Sequence, residues 1–86
     1  MLDVLKHMQQ ELSRSFGSAQ LKEDDTASFV FVENRGRAVE VSPHAGKWWV
    51  EFWEPSDDEY APPIREATLD TPQQAIEEII SWLRGA

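Results

Sequence analysis

Lys47-Trp48-Trp49-Val50-Glu51-Phe52-Trp53-Glu54 places three of the chain's four tryptophans within six positions. Side chains alternate between faces along a strand, so Trp48, Val50 and Phe52 point one way and Trp49, Glu51 and Trp53 the other. An ordinary half-buried strand carries polar residues on its second face. Here two indoles flank a carboxylate there. Either another segment covers them or they are exposed for recognition. Parity alone does not say which set meets the core.

Upstream of this stretch, Ser28-Phe29-Val30-Phe31-Val32-Glu33 is β-branched and aromatic, and apolar on both faces. Asn34-Arg35-Gly36 then supplies residues that tolerate positive φ. Arg37-Ala38-Val39-Glu40-Val41-Ser42 alternates, with Val39 and Val41 on one side, and Pro43-His44-Ala45-Gly46 leads into the tryptophan strand. These are hairpin spacings and predict an antiparallel meander of three strands. Downstream, residues 54–63 contain Pro55, Pro62 and Pro63 with an acidic run, which predicts a loop. Ile64 to Leu69 is a candidate fourth strand.

A helix is expected at each end. Leu2, Leu5, Met8 or Gln9, Leu12 and Phe16 form one apolar stripe, with Gly17 placed to cap its C-terminus. Thr71-Pro72-Gln73-Gln74 carries a capping box with proline at the first helical position. Ala75, Ile76, Ile79, Ile80 and Leu83 give that second helix its apolar face, and Gly85 ends it. The expected fold is therefore α+β over a single domain, 1–86. It has an N-terminal helix, a three- or four-stranded antiparallel meander and a C-terminal helix, both helices on one face of the sheet. Segments 18–26 and 54–63 are expected to be acidic exposed loops.

Sixteen acidic residues oppose eight basic ones, for a formal net charge of -8. Nucleic acid and anionic membranes are repelled by such a field, so neither is an expected partner. The clusters Glu23-Asp24-Asp25 and Glu54 with Asp57-Asp58-Glu59 have two readings: a surface for a basic partner, or solvated loops that keep a small protein in solution. There is no cysteine, hence no disulfide frame and no thiolate metal site. No apolar run approaches the roughly 20 residues that cross a bilayer, and the N-terminus lacks a signal-peptide pattern. A cytoplasmic protein is the resulting expectation.

Catalytic chemistry has little support in the sequence. His7 falls on the polar side of the first helix and His44 in a turn, and no nucleophile elbow or phosphate-cradling glycine loop is present. Asp57-Asp58-Glu59 lacks the internal glycine of a calcium loop, so no metal or other cofactor is expected. Glu51 is the most interesting carboxylate, because its aromatic neighbours raise a carboxyl pKa, but the sequence does not identify a second. The helix–strands–helix order resembles the double-stranded-RNA-binding fold in topology. That family grips phosphates with a lysine-rich start to its second helix, whereas Thr71 to Glu78 here holds no lysine and two acids.

Two functional expectations follow. The first is a non-catalytic protein-interaction module using the aromatic sheet face around Trp49, Glu51, Trp53 and Tyr60, either in a homodimer or with another protein. An inhibitor or immunity-type protein for a basic target is one version. The second is a small-ligand or carbohydrate binder that stacks on Trp49, Trp53 and Tyr60, with Glu51 and Asp57 as acceptors. Against both stands intramolecular cover, with Tyr60, Pro62 and Pro63 folding back over the indoles.

Overall fold

The structure, a computed structural model, describes residues 2–23, 27–55 and 61–85. Its elements run α1 (Leu2–Phe16), β1 (Ala19–Glu23), β2 (Ser28–Asn34), β3 (Arg37–His44), β4 (Lys47–Trp53), β5 (Arg65–Leu69) and α2 (Pro72–Leu83). The strands lie in chain order in one sheet, and every neighbouring pair is antiparallel. The domain is thus α+β with a five-stranded meander, where three or four strands were expected.

Two tight turns set the register at the centre of that sheet. Arg35 (φ 55) with Gly36 (φ 83), and Ala45 (φ 52) with Gly46 (φ 79), place two consecutive residues at positive φ. That backbone matches the twist of a hairpin with a two-residue loop. It extends β3 through Pro43 to His44, two residues beyond the predicted end, and it sets Val39 opposite Phe52 and Glu40 opposite Glu51.

The extra strand, β1, falls in the segment 18–26 that was expected to be an exposed acidic loop. Ala19 is buried and Leu21 half-buried, alternating with exposed Gln20 and Lys22. So short a pattern is a weak signal. The strand is held from outside itself: Ala19 pairs with Val32, its N–H donates to Ser13 Oγ (3.1 Å), and its carbonyl accepts from Gln9 Nε2 (3.1 Å). Pairing satisfies an edge of β2 that would otherwise present unpaired amides and carbonyls. Asp24, Asp25 and Thr26 lie outside the described residues. In the second expected loop, Glu54 and Pro55 are exposed and residues 61–63 have no regular structure, while residues 56–60 lie outside the described set. β5 coincides with the candidate fourth strand.

Both helices pack on the same side of the sheet and against each other, α1 over β1 and β2, α2 over β3 to β5. Leu5, Met8 and Leu12 of α1 join Ala75, Ile76, Ile79 and Leu83 of α2 over Val30, Val32, Val39, Val41, Trp48, Val50 and Phe52. Trp48, Val50 and Phe52 are therefore the inward set of β4. Thr71 Oγ1 accepts from the Gln74 N–H (3.1 Å) and Gln74 Oε1 accepts from the Thr71 N–H (3.3 Å), completing the capping box. At the other end of α2, Asn34 Nδ2 donates to the Leu83 carbonyl and Arg37 Nη1 to the Trp82 carbonyl, both at 2.9 Å. The Arg37 guanidinium also stacks on the Trp82 ring (4.5 Å). The β2–β3 hairpin thus satisfies carbonyls that a helix end leaves free, with a cation where the dipole favours one. Among the described residues, no helix is long and apolar enough to cross a membrane.

Candidate functional site

The same alternation that sends Trp48, Val50 and Phe52 inward sends Trp49, Glu51 and Trp53 to the opposite face of the sheet. β2 contributes Phe29 and Phe31 to that face, and β3 contributes Ala38, Glu40, Ser42 and His44. Trp49, Trp53, Phe29 and Phe31 are each half-buried, and none belongs to the hydrophobic core or the side chains packed against it. Their partial shelter comes from neighbours on the face. The His44 imidazole lies 5.9 Å from the Trp49 ring, and Lys22 Nζ sits 5.4 Å above the Phe31 ring. His44 is therefore the last residue of β3, beside Trp49, where the sequence had suggested a turn residue.

At the other end of β4, the Trp53 indole N–H donates to the Ala61 carbonyl (3.1 Å). The chain after the second loop therefore returns against Trp53, with Pro62 exposed and Pro63 half-buried. Among the described residues, the proline-rich segment meets the aromatic face at this ring. Trp49 lies four residues away along the strand, about 14 Å at the usual rise. Tyr60 and Asp57, the other candidate ligand-contacting residues, lie outside the described residues.

Register creates a feature that spacing in the sequence does not. Glu40 pairs with Glu51, and Glu51 with Glu66, so three carboxylates stand side by side on consecutive strands. Phe31 continues the row beyond Glu40, and Gln20 beyond Phe31. Neighbouring strands are about 4.8 Å apart, so the glutamate row spans roughly 10 Å. Burial pushes the Glu51 carboxyl above its ordinary value, and Glu40 and Glu66 push it further. Burial also raises Glu40, with Lys22 pulling it back in part.

The chain does little else to neutralise this row. All eight lysines and arginines lie among the described residues. The ion pairs found there join Arg14 to Glu11, Lys47 to Asp70 and Arg65 to Glu78, and none includes Glu40, Glu51 or Glu66. Like charges directly opposite on a sheet are destabilising. The row is a line and not a cage: among the described residues no group of three His, Asp or Glu is arranged to hold a metal ion.

Three of the four residues singled out from the sequence, Trp49, Glu51 and Trp53, are thus brought to one surface. Phe29, Phe31, Glu40 and Glu66 join them there. The two phenylalanines were visible in the double-sided apolar pattern of residues 28–33. Glu40 was within reach too, because a two-residue turn at Ala45-Gly46 forces its pairing with Glu51. Glu66 was not, since the connection from β4 to β5 is too long for its length to set a register. No protein-family model, curated protein or solved structure matches this chain.

Proposed function

We propose that this chain is a small non-catalytic interaction module whose open sheet face docks another protein. One observation carries the reading: four half-buried aromatic side chains surround a row of glutamates on a face that the two helices leave uncovered. Aromatic anchors with polar groups between them are what interfaces use for affinity and specificity. The acidic row supports this reading, because like charges on paired strands are destabilising, no ion pair among the described residues includes them, and Lys22 eases the charge only at Glu40. The cytoplasmic setting expected from the sequence is kept in this proposal.

Carbohydrate or small-ligand binding is the weaker reading. Such ligands are held in clefts that bury most of their surface, whereas Trp49 and Trp53 stand about 14 Å apart on the outside of a sheet. Glu51 has two carboxylate neighbours, yet among the described residues nucleophile, base and water-excluding walls do not converge on it.

The test is site-specific photocrosslinking in the cells that make the protein. A photoreactive phenylalanine replaces Trp49, Phe31 or, as a control on the outer side of α2, Gln73. Discrete protein adducts from positions 49 and 31 and none from 73 are expected. Adducts distributed equally over the three positions, or none from the sheet face, would sink the proposal.

A further inference from the structure

We infer that the occupant of the open face is a basic protein segment, whose arginine side chains lie across the Glu40–Glu51–Glu66 row between the Trp49 and Trp53 rings. This rests on the interaction-module reading and names the chemistry of the partner. It follows from charge complementarity on a surface that is both aromatic and acidic. A guanidinium is planar, presents paired donors that match carboxylates, and stacks on aromatic rings while its stem covers apolar surface. Glutamates paired across strands about 4.8 Å apart offer acceptors on both sides of one such group. The flanking Trp49, Trp53 and Phe31 faces attract the same cation.

A second copy of the chain is the obvious competitor, and it fits less well. Two such faces brought together would oppose two glutamate rows, each in a chain of net charge -8. The cations each copy could offer are few. On this face Lys47 is held by Asp70 at 2.9 Å, and Lys22 already sits over Phe31 and beside Glu40. Glu33 adds a further negative charge, which leaves His44 as the remaining titratable group among the described strand residues of this face. A basic partner supplies what the face lacks; a copy supplies more of what it already has.

The probe is a five-residue amidated peptide alternating arginine and glycine, titrated into the full chain and followed by the indole N–H and backbone amide resonances. A lysine analogue and a glutamate analogue serve as comparisons. Sedimentation equilibrium of the free chain at neutral pH accompanies the titration. The arginine peptide is expected to shift the indole signals of Trp49 and Trp53 and to leave those of Trp48 and Trp82 in place, with the lysine peptide weaker and the glutamate peptide inert. Glu51→Gln should weaken the arginine peptide about tenfold, the loss of one charge-assisted contact. Glu77→Gln, which changes net charge equally but lies on α2, should change it less than about twofold if only diffuse attraction is altered.

Equal weakening by the two variants, or no saturable shift at Trp49 and Trp53, overturns the inference. So does a free chain that is dimeric through Trp49 at neutral pH, although that result leaves the interaction-module reading standing. Crosslinked partners whose adduct peptides carry no arginine or lysine would separate the two claims in the same way.

Discussion

The two faces of this sheet are built from the same strands by opposite rules. The inner face holds Val30, Val32, Val39, Val41, Val50 and Phe52, each at 1% exposure or less, beneath two helices. The outer face also holds large apolar side chains, but they stop at half-burial and alternate with carboxylates. Among the described residues no buried side chain is polar or charged, and the cations on the inner side, Arg37 and Arg65, lie over the Trp82 and Phe52 rings without being buried. The outer face carries carboxylates in a row, where burial raises the Glu40 and Glu51 carboxyls and the neighbouring glutamates raise Glu51 further. Composition alone does not separate the faces, since each has two or more aromatic rings. What separates them is whether another part of the same chain completes the packing.

The largest expected contrast is between Phe52→Ala and Trp49→Ala. Removing the fully buried Phe52 ring, which meets Trp82 edge-on and lies under Arg65, should cost about 3–5 kcal/mol in urea unfolding. Trp49→Ala should cost less than about 1 kcal/mol, as substitutions away from packed cores do. Equal losses would mean that both faces are structural, and the distinction drawn between them would fail.

Trp53→Phe tests the contact by which the chain beyond β4 returns to its own outer face. It removes the hydrogen bond to Ala61 while keeping an aromatic ring, and about 1 kcal/mol of stability should go with it. Faster exchange of the Ile64 amide, which donates to the Phe52 carbonyl just after this segment, is the accompanying sign. An unchanged exchange rate would show that this segment is held by something other than Trp53.

Glu51→Gln should act in the opposite direction. Relieving like-charge contacts with Glu40 and Glu66 is expected to stabilise the free domain at neutral pH by about 0.5 kcal/mol, measured by urea unfolding. A loss of stability would mean that the row is compensated by a partner group within the chain.

The pH dependence sharpens the same point. Glu40 and Glu51 have carboxyl pKa values raised above the ordinary value of 4.5, so the folded chain holds their protons at a pH where the unfolded chain has released them. Their contribution to stability is therefore unfavourable above the folded pKa, and it is relieved as pH falls from there toward 4.5. Comparison of wild type with Glu40→Gln/Glu51→Gln isolates this effect. The stability advantage of the double variant should shrink across that window and be gone at its acid end. An advantage that is constant with pH would assign it to packing.

Legibility in the sequence followed the range of the interactions. The two helices were readable because an apolar stripe, a capping box and terminal glycines are local signals, all within a few residues of the backbone they organise. The strand pair β3–β4 was readable because a two-residue turn ties register to spacing. β1 was missed because Ala19 and Leu21 are too few to declare a strand, and the groups that hold it, Gln9, Ser13 and Val32, come from elsewhere in the chain.

Local patterning thus specified the helices, the hairpins and the division of β4 into an indole-and-valine face and an indole-and-glutamate face. Which face met the helices, and that Glu40, Glu51 and Glu66 would stand in line, were settled by folding. Those outcomes depend on pairing between segments separated by a loop too long to transmit register, and on which surface two amphipathic helices can seal together. The backbone repeats every two residues in a strand, so parity offers two equivalent answers. Only burial against the helices chooses between them.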